Sequence, residues 1–563
     1  MNYAMVCRQL GLLVWVVSAC LAGMAVFGWV EVRFEHQDDL IASVAMALGA
    51  SVGVVLGLAF VMIGRWVSGR NAGTADGTAA PGGLPAVNKA ETLQRRDAFL
   101  LTGTAWILGG VVAALPFYFW AQLGGATALV AHSPFAVEAV NDSGNTYLVQ
   151  PGHEFESFAS CYFEAVSGLT TTGATVLGER GGIDDLPRTL LLWRSLTHWL
   201  GGLGIVVLFV AVLPSVGAGA KRLFQSESSA VDGGVRPRIG ETARLLWVIY
   251  TMITATAMGT FMVCGMDWFD ALNHAFSVMA TGGYSTKGGS IAHYDSAWLD
   301  YSVVLFMLLA GTNFAIFYRT VRGNWTAAFH DREFQVFLAL KIAVTLIIAW
   351  GLWGQEIVTT AGKTIDEASA TESVRYALFQ TASLQTGTGF ATADWDDWSR
   401  LSLALLFGLM MMGGCAGSTA GGVKVIRIII SLRVFAYAME RSYRPSVVRT
   451  VKVGGHAIDA EARTAAMTFL LLWLLILALG VFGLVLLEPN PESGGRLDPI
   501  TALLASLVTL ANVGPGLYEI GATKHFGWFT DGSKYLLSLM MVLGRLELFA
   551  LLVLFTPRFW RGN

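Results

Sequence analysis

Four short stretches of this chain could perform the same piece of chemistry. They are Thr171-Thr172-Gly173-Ala174-Thr175, Thr281-Gly282-Gly283-Tyr284-Ser285, Gly387-Thr388-Gly389-Phe390-Ala391 and Asn512-Val513-Gly514-Pro515-Gly516. Each follows a short semi-apolar run with helical patterning. Glycine admits backbone dihedrals that a Cβ excludes, so the chain can turn successive carbonyl oxygens in one direction there. Carbonyls converging from several segments can replace the hydration shell of an alkali cation. A preceding helix of ~12 residues is about 18 Å long and reaches only partway through a bilayer. If it enters from outside, its C-terminal end carries partial negative charge and favours a cation beyond it. For one loop alone, a Thr- and Gly-rich extracellular turn is the plainer reading. Recurrence at Gly173, Gly283, Gly389 and Gly514, at nearly even spacing, points to a ring.

The elements that must hold such a ring are membrane helices. The 563 residues are 54% hydrophobic and only 14% charged, with a mean hydropathy of +0.57, which excludes an ordinary soluble multidomain protein. Apolar runs long enough to span begin near Leu10, Leu40, Ala98, Leu190, Leu245, Trp298, Phe334, Leu401, Ala465 and Tyr535. The first lacks a small-x-small cleavage context and is read as a retained helix. The expected fold is an all-α polytopic membrane protein: a two-helix hairpin, then four repeats of span, short pore helix, Gly turn and return span around a central pore. The boundaries are 1–70 for the hairpin, 71–97 for a cytoplasmic linker, and 98–220, 221–322, 323–455 and 456–563 for the repeats. The short helices are expected at 156–169, 268–279, 372–384 and 499–510, and the returns at 190–213, 298–317, from 401 onward, and 535–555. Only the third return is expected to break. Residues 71–88 read as a Gly/Ala/Pro-rich linker and 121–153 as a wet outer insertion.

Charge placement orients the chain. Cations cluster in alternate connections, at Arg65, Arg70, Lys89, Arg95 and Arg96, at Lys221, Arg222, Arg236 and Arg238, at Arg319, Arg322 and Arg332, and from Arg427 to Lys452. The other connections carry acids such as Glu31, Glu154, Asp394, Asp396 and Glu488. By the positive-inside rule both termini are cytoplasmic and the Gly turns face outward. Five scattered cysteines without CxxC spacing imply neither a disulfide framework nor a zinc site. Gly362-Lys363-Thr364 resembles the end of a phosphate loop, but it lacks the first glycine and a preceding strand, and neither HExxH nor GxSxG in its proper context occurs. The chain is not expected to be an enzyme. The rival reading is an ion-coupled secondary transporter with a midplane site, which would show paired interruptions in two inverted halves rather than four units of one direction.

The run Gly413-Gly414-Cys415-Ala416-Gly417-Ser418-Thr419-Ala420-Gly421-Gly422, ending near Lys424, falls where the third return should cross the midplane. So many small residues break a helix, and unwound backbone at that depth belongs beside a cavity. It reads as a loop below the filter that blocks ions and swings aside, with the Lys424 ammonium opposing a cation; close small-residue packing is the alternative. Arg545 and Glu547 inside the last span are functional candidates or paired packing residues. Arg194 and His198, one turn apart, read as a structural pair behind the filter, with a metal or proton role as the alternative. Glu164 either stabilises the filter or adds negative field at its mouth.

These segments, together with 193–204 and Gly544-Arg545-Leu546-Glu547-Leu548-Phe549, resemble the TrkH/KtrB superfamily of potassium transporters from about Ala98 to the C-terminus, and the initial hairpin resembles the TrkH branch. The resemblance implies a K⁺ filter with one glycine per loop, at 173, 283, 389 and 514. Carbonyls would come from Thr171 and Thr172, Thr281 and Gly282, Gly387 and Thr388, and Asn512 and Val513. The loops differ in sequence, so K⁺ and Rb⁺ should be preferred over Na⁺ by only a modest factor. It implies that Arg545 pairs with a group on the 413–422 loop and holds it shut. It further implies K⁺ uptake across the bacterial inner membrane, a homodimer with a pore in each subunit, contact with membrane lipid, and a separate cytosolic nucleotide-binding subunit of TrkA/KtrA type. No covalently bound cofactor and no nucleic-acid partner are expected.

Overall fold

The fold is taken from a computed structural model that describes residues 1–33, 39–73, 95–127, 137–140, 146–149, 153–178, 182–211, 239–447, 450–488 and 497–561. Most of the 71–97 linker, much of the 121–153 insertion and the connection carrying Lys221, Arg222, Arg236 and Arg238 lie outside these residues. Among the described residues, six helices are long and apolar enough to cross a membrane: Tyr3–Val32, Asp39–Ser68, Arg96–Gly124, Arg244–Val263, Arg332–Leu352 and Ala460–Leu487. The chain divides into two compact units.

The first unit comprises Met1–Val166, Leu186–Trp193 and Leu546–Asn563. Its first two helices, Tyr3–Val32 and Asp39–Gly73, form the expected hairpin. Their backbones approach closely because small residues face each other: a Cβ on Gly11 would lie 2.6 Å from the Gly57 carbonyl oxygen. The Asp39 carboxylate accepts from the Thr189 backbone N–H at 2.8 Å, Glu31 lies 3.4 Å from Arg188, and the Trp193 indole donates to the Ala113 carbonyl at 3.1 Å. These polar ties fasten the start of the first return helix within this unit. Glu164 is buried here, on the first short helix.

The second unit comprises Ser167–Asp185 and Arg194–Arg545. Its core packs Tyr250, Phe261, Phe306, Phe314, Phe379 and Phe390 into one cluster. Four short helices run into the four Gly turns, at Phe158–Leu169, Trp268–Ala280, Ala370–Thr386 and Pro499–Leu510. Each starts on a polar residue whose side chain accepts a first-turn N–H, which supplies an orphan donor with a partner. Asp267 accepts from Asp270, Asp498 from Thr501 and Ser369 from Glu372, the last in a capping box; Ser157 accepts from Ala159. From cap to turn, the first, second and fourth have equal lengths. The third is one turn longer, which extends it beyond the expected 372–384.

The return helices depart most from expectation. The third breaks as expected, into Arg400–Met411 and Val425–Tyr443. The second also breaks, into Ala297–Ala310 and Phe314–Val321, bent by 92°. Asn313 caps the new helix by accepting from Ala315, and the freed backbone groups bond to the 413–422 loop: Cys415 N donates to Gly311 O at 2.9 Å and Phe314 N to Gly417 O at 3.1 Å. Protein partners at this depth remove the cost of unwinding in lipid. The fourth return ends at Arg545, and a new helix starts at Phe549 after Glu547 and Leu548, both with positive φ. Glu547 is therefore in a break, not within a span. Of the roughly ten spans expected, six are continuous crossings among the described residues, or up to eight if each bent pair counts once.

The fold is all-helical apart from short hairpins. Three two-stranded antiparallel hairpins pair Val137–Val140 with Thr146–Val149, Ile357–Val358 with Thr364–Ile365, and Lys452–Val453 with His456–Ala457. The second contains Gly362-Lys363-Thr364, and Lys363 pairs with Asp295 at 2.6 Å, so that segment is a surface hairpin.

Candidate ion filter and gate

All four turns end their helices in the same way. The first turn residue, Thr171, Thr281, Gly387 or Asn512, has positive φ (53, 56, 70 and 53°). Its N–H donates three residues back, to Gly168, Val278, Leu384 and Thr509, while the next N–H donates five back, to Ser167, Ser277, Ser383 and Val508. That double bond pattern is a Schellman motif. It occupies the last carbonyls of each helix and leaves those of the next residues unspent. Two residues on, Gly173, Gly283, Gly389 and Gly514 have φ of 83, 81, 79 and 93°. The glycines were legible in the sequence. The left-handed Thr171, Thr281 and Asn512 were not, since non-glycine residues rarely adopt that conformation.

The four turns close a ring. A Cβ on Gly173 would meet first the Gly282 carbonyl oxygen; on Gly283, that of Thr388; on Gly389, that of Val513 at 2.5 Å; and on Gly514, that of Thr172 at 2.6 Å. Each glycine thus abuts the carbonyl preceding the next glycine, in the cyclic order one, two, three, four, one. All twelve predicted filter residues are brought together in the second unit. Side chains brace the ring from behind. Thr170 and Thr386 hydroxyls bond to those of Thr172 and Thr388, at 2.8 and 2.7 Å, so the first and third turns match. Asn512 Nδ2 donates to Thr172 Oγ1 at 2.9 Å and to the Met541 carbonyl at 3.0 Å.

One face of the ring opens into a vestibule lined by all four filter glycines together with Arg194, Tyr284, Lys287, Lys524 and Phe526 among others. Lys287 lies 3.7 Å from the Asp270 carboxylate. Arg194 and His198 do not pair with each other. Both hold Tyr284, whose ring lies 4.1 Å from the guanidinium carbon and stacks on the imidazole at 4.1 Å between centroids. Arg194 also donates to the Ser285 carbonyl and to Thr175, both at 3.4 Å, bracing the first two turns. Tyr284 was not foreseen as the residue they serve.

Below the ring lies the unwound segment. Gly417 and Gly422 take positive φ there, 71 and 68°. A Cβ on Gly421 would come 2.5 Å from the Ala511 carbonyl, which puts this loop directly against the base of the fourth turn. Gly413 N donates to Val423 O at 2.6 Å, and a Cβ on Gly414 would fall 2.7 Å from Gly311 O. Ser418 bonds back to Cys415 O at 2.6 Å, and the Thr419 hydroxyl reaches the carbonyls of Met279 and Ala310, each at 3.1 Å. Lys424 Nζ donates to Ala420 O at 2.6 Å, so this cation stitches the loop to itself. Arg545 Nη1 donates to Thr419 O at 2.5 Å and Nη2 to Gly201 O at 3.3 Å, joining the last return, the loop and the first return.

Two residues here escaped the sequence reading. Glu333, buried at the start of the third outward span, accepts from both Ala416 N at 2.9 Å and Ile426 N at 3.0 Å, clasping the loop at two points. In sequence it looks like a charged flank beside Arg332. Lys341, buried in the same span, sets its ammonium 4.5 Å from the centre of the Phe337 ring. An ionisable residue inside a span was signal enough to find it.

No group of three or more His, Cys, Asp or Glu suited to a metal occurs among the described residues. Comparison with known proteins gives the family. Residues 127–561 match the family model described as "TrkH: Cation transport protein". The chain is 36% identical to the Trk system potassium uptake protein TrkH of Halomonas elongata, over 86% of this chain and 90% of the relative. It is 33% identical to that of Escherichia coli, over 83% and 87%. The crystal structure of the potassium transporter TrkH from Vibrio parahaemolyticus superposes over the whole of both chains, with a TM-score of 0.77 and 30% identity. With four half-helices ending in one closed ring and a family match over most of its length, the chain belongs to the TrkH family of cation transport proteins.

Proposed function

We propose that this protein carries K⁺ into a bacterial cell across the inner membrane, through the carbonyls of Thr171, Thr172, Thr281, Gly282, Gly387, Thr388, Asn512 and Val513, and that the 413–422 loop is its gate. The observation that carries the reading is the cyclic contact of each filter glycine with its neighbour's carbonyl. Backbone oxygens so arranged suit a monovalent cation stripped of water. Potassium is favoured by the relatives, whose names are those of potassium uptake proteins. The gate reading is supported by Arg545 and Glu333, which hold the loop beneath the ring. The proposal includes a homodimer with one pore per subunit, cytoplasmic termini, and a cytosolic nucleotide-binding partner of TrkA/KtrA type. Purified protein in liposomes should take up ⁸⁶Rb⁺, with K⁺ competing well and Na⁺ poorly. Strictly ion-coupled, saturable exchange without single-channel steps would instead favour a secondary transporter.

A further inference from the structure

The second return helix stops at Ala310, and the chain resumes as Phe314–Val321 at 92° to it. The two pieces pass as a span only together, and the next candidate span starts at Arg332, so the stretch leading up to it approaches one membrane boundary. The elbow has two faces. Phe314 and Ile316 are buried against the protein, whereas Val321, Trp325 and Phe329 are 67, 76 and 71% exposed. Arg322 and Arg332 are exposed on the same stretch, and the Arg322 guanidinium carbon lies 4.6 Å from the Tyr318 ring centre. No acidic residue occurs between Asp300 and Asp331. The next two carboxylates are committed to backbone N–H groups, Asp331 to Phe334 at 2.9 Å and Glu333 to Ala416 and Ile426. Exposed aromatics beside arginines, with no carboxylate from 301 to 330, suit the boundary between acyl chains and anionic headgroups.

We propose that residues 314–332 form a binding surface for anionic phospholipid, with Trp325 and Phe329 at the acyl boundary and Arg322 and Arg332 on the phosphates. Charge complementarity selects this occupant: zwitterionic lipid would gain the apolar contact but not the second interaction. The elbow begins one hydrogen bond from the unwound loop, at Phe314 N to Gly417 O, so bound lipid also bears on that loop. This consequence rests on the gate reading; the lipid surface itself does not.

The test uses the full chain in vesicles with spin-labelled phosphatidylglycerol and phosphatidylcholine. The protein should prefer phosphatidylglycerol. Arg322→Gln and Arg332→Gln should each lower that preference about fivefold, while Lys at both positions should keep most of it. An unchanged preference in the double Gln variant overturns the proposal. So does a double variant that keeps its lipid preference but loses capture of a cytosolic nucleotide-binding partner, because the surface would then belong to protein. Rb⁺ flux measured against phosphatidylglycerol content reads the consequence separately. If wild-type flux ignores the lipid while binding follows the arginines, the link to the loop is refuted and the lipid surface stands.

Discussion

Substituting Gly173 by Ser tests the ring most directly. Two costs add at this residue. Its φ of +83° is a left-handed conformation that costs an L-residue roughly 1–2 kcal/mol. The new Cβ would also collide with the Gly282 carbonyl oxygen, which belongs to the neighbouring turn. Relief requires that oxygen to move by ~0.5 Å or more, about the tolerance within which a binding constellation must be held. A tenfold preference between two ions corresponds to about 1.4 kcal/mol, so strain of this size is comparable to the whole of a modest selectivity. We expect Gly173→Ser to bring the K⁺/Na⁺ permeability ratio down by about tenfold or to near unity, with the protein still folded. Bi-ionic reversal potentials, or paired Rb⁺ and Na⁺ uptake, measure it. Gly265→Ala is the control, because Gly265 has φ +110° but open space around its Cβ position; it carries the backbone strain without the collision. An unchanged ratio in Gly173→Ser, or an equal loss in Gly265→Ala, would refute the reasoning.

Glu333→Ala leaves the N–H groups of Ala416 and Ile426 without their acceptor, at roughly 1–3 kcal/mol for each buried group. It should raise Rb⁺ leak in the absence of any cytosolic partner, and Glu333→Gln, which keeps an acceptor, should do so less. Arg545→Ala removes the bonds to Thr419 and Gly201 and should raise basal flux with selectivity preserved; a closed, silent variant would count against a restraining role. Arg194→Ala removes one of the supports of Tyr284 and the bond to Ser285, and should lower K⁺/Na⁺ discrimination, measured as for Gly173, while a change only in thermal stability would make it a packing residue. Burial, reinforced by Asp394 and Asp397, pushes Asp396 up to about 6, although the Tyr518 N–H opposes the shift. With its folded value raised, the folded state takes up the proton first. Stability from this group therefore grows as pH falls through about 6 toward the ordinary carboxylate range, and Asp396→Asn should remove that component of a melting-temperature profile.

Much of this was legible in the sequence because membranes impose few solutions. Apolar run length located the outward spans, and the recurrence of Gly173, Gly283, Gly389 and Gly514 located the ring. What escaped depends on contacts between segments far apart in the chain. The break at 311–313 has no strong local signal: a single Gly and Asn in an apolar run are compatible with a continuous helix, and the bend exists because the 413–422 loop supplies partners for the freed backbone. Glu333 likewise looks like an ordinary helix flank until Ala416 and Ile426 are seen to share its carboxylate. The polar caps Ser157, Asp267, Ser369 and Asp498 could have been found, since each precedes a short apolar helix by one residue or nearly so. Lys424 was legible as a charge at the end of the loop, but its bond to Ala420 was not.

On the gate proposed above, the departure from fourfold symmetry would follow from having one loop do the closing. Four equivalent loops beneath the ring would compete for the same space on the pore axis, whereas a single one can contact every repeat. The 413–422 loop does so. Thr419 reaches Met279 and Ala310 of the second repeat, Ala416 is held by Glu333 of the third, Gly421 sits against Ala511 of the fourth, and Arg545 joins Thr419 to Gly201 of the first. If the loop is the gate, its release breaks these contacts together and opening is cooperative. If so, Glu333→Ala and Arg545→Ala should couple in a double-mutant cycle, with the pair raising flux by less than the product of the single effects. Strict multiplicativity would mean that the two residues restrain independent motions, and the loop would then not act as one gate.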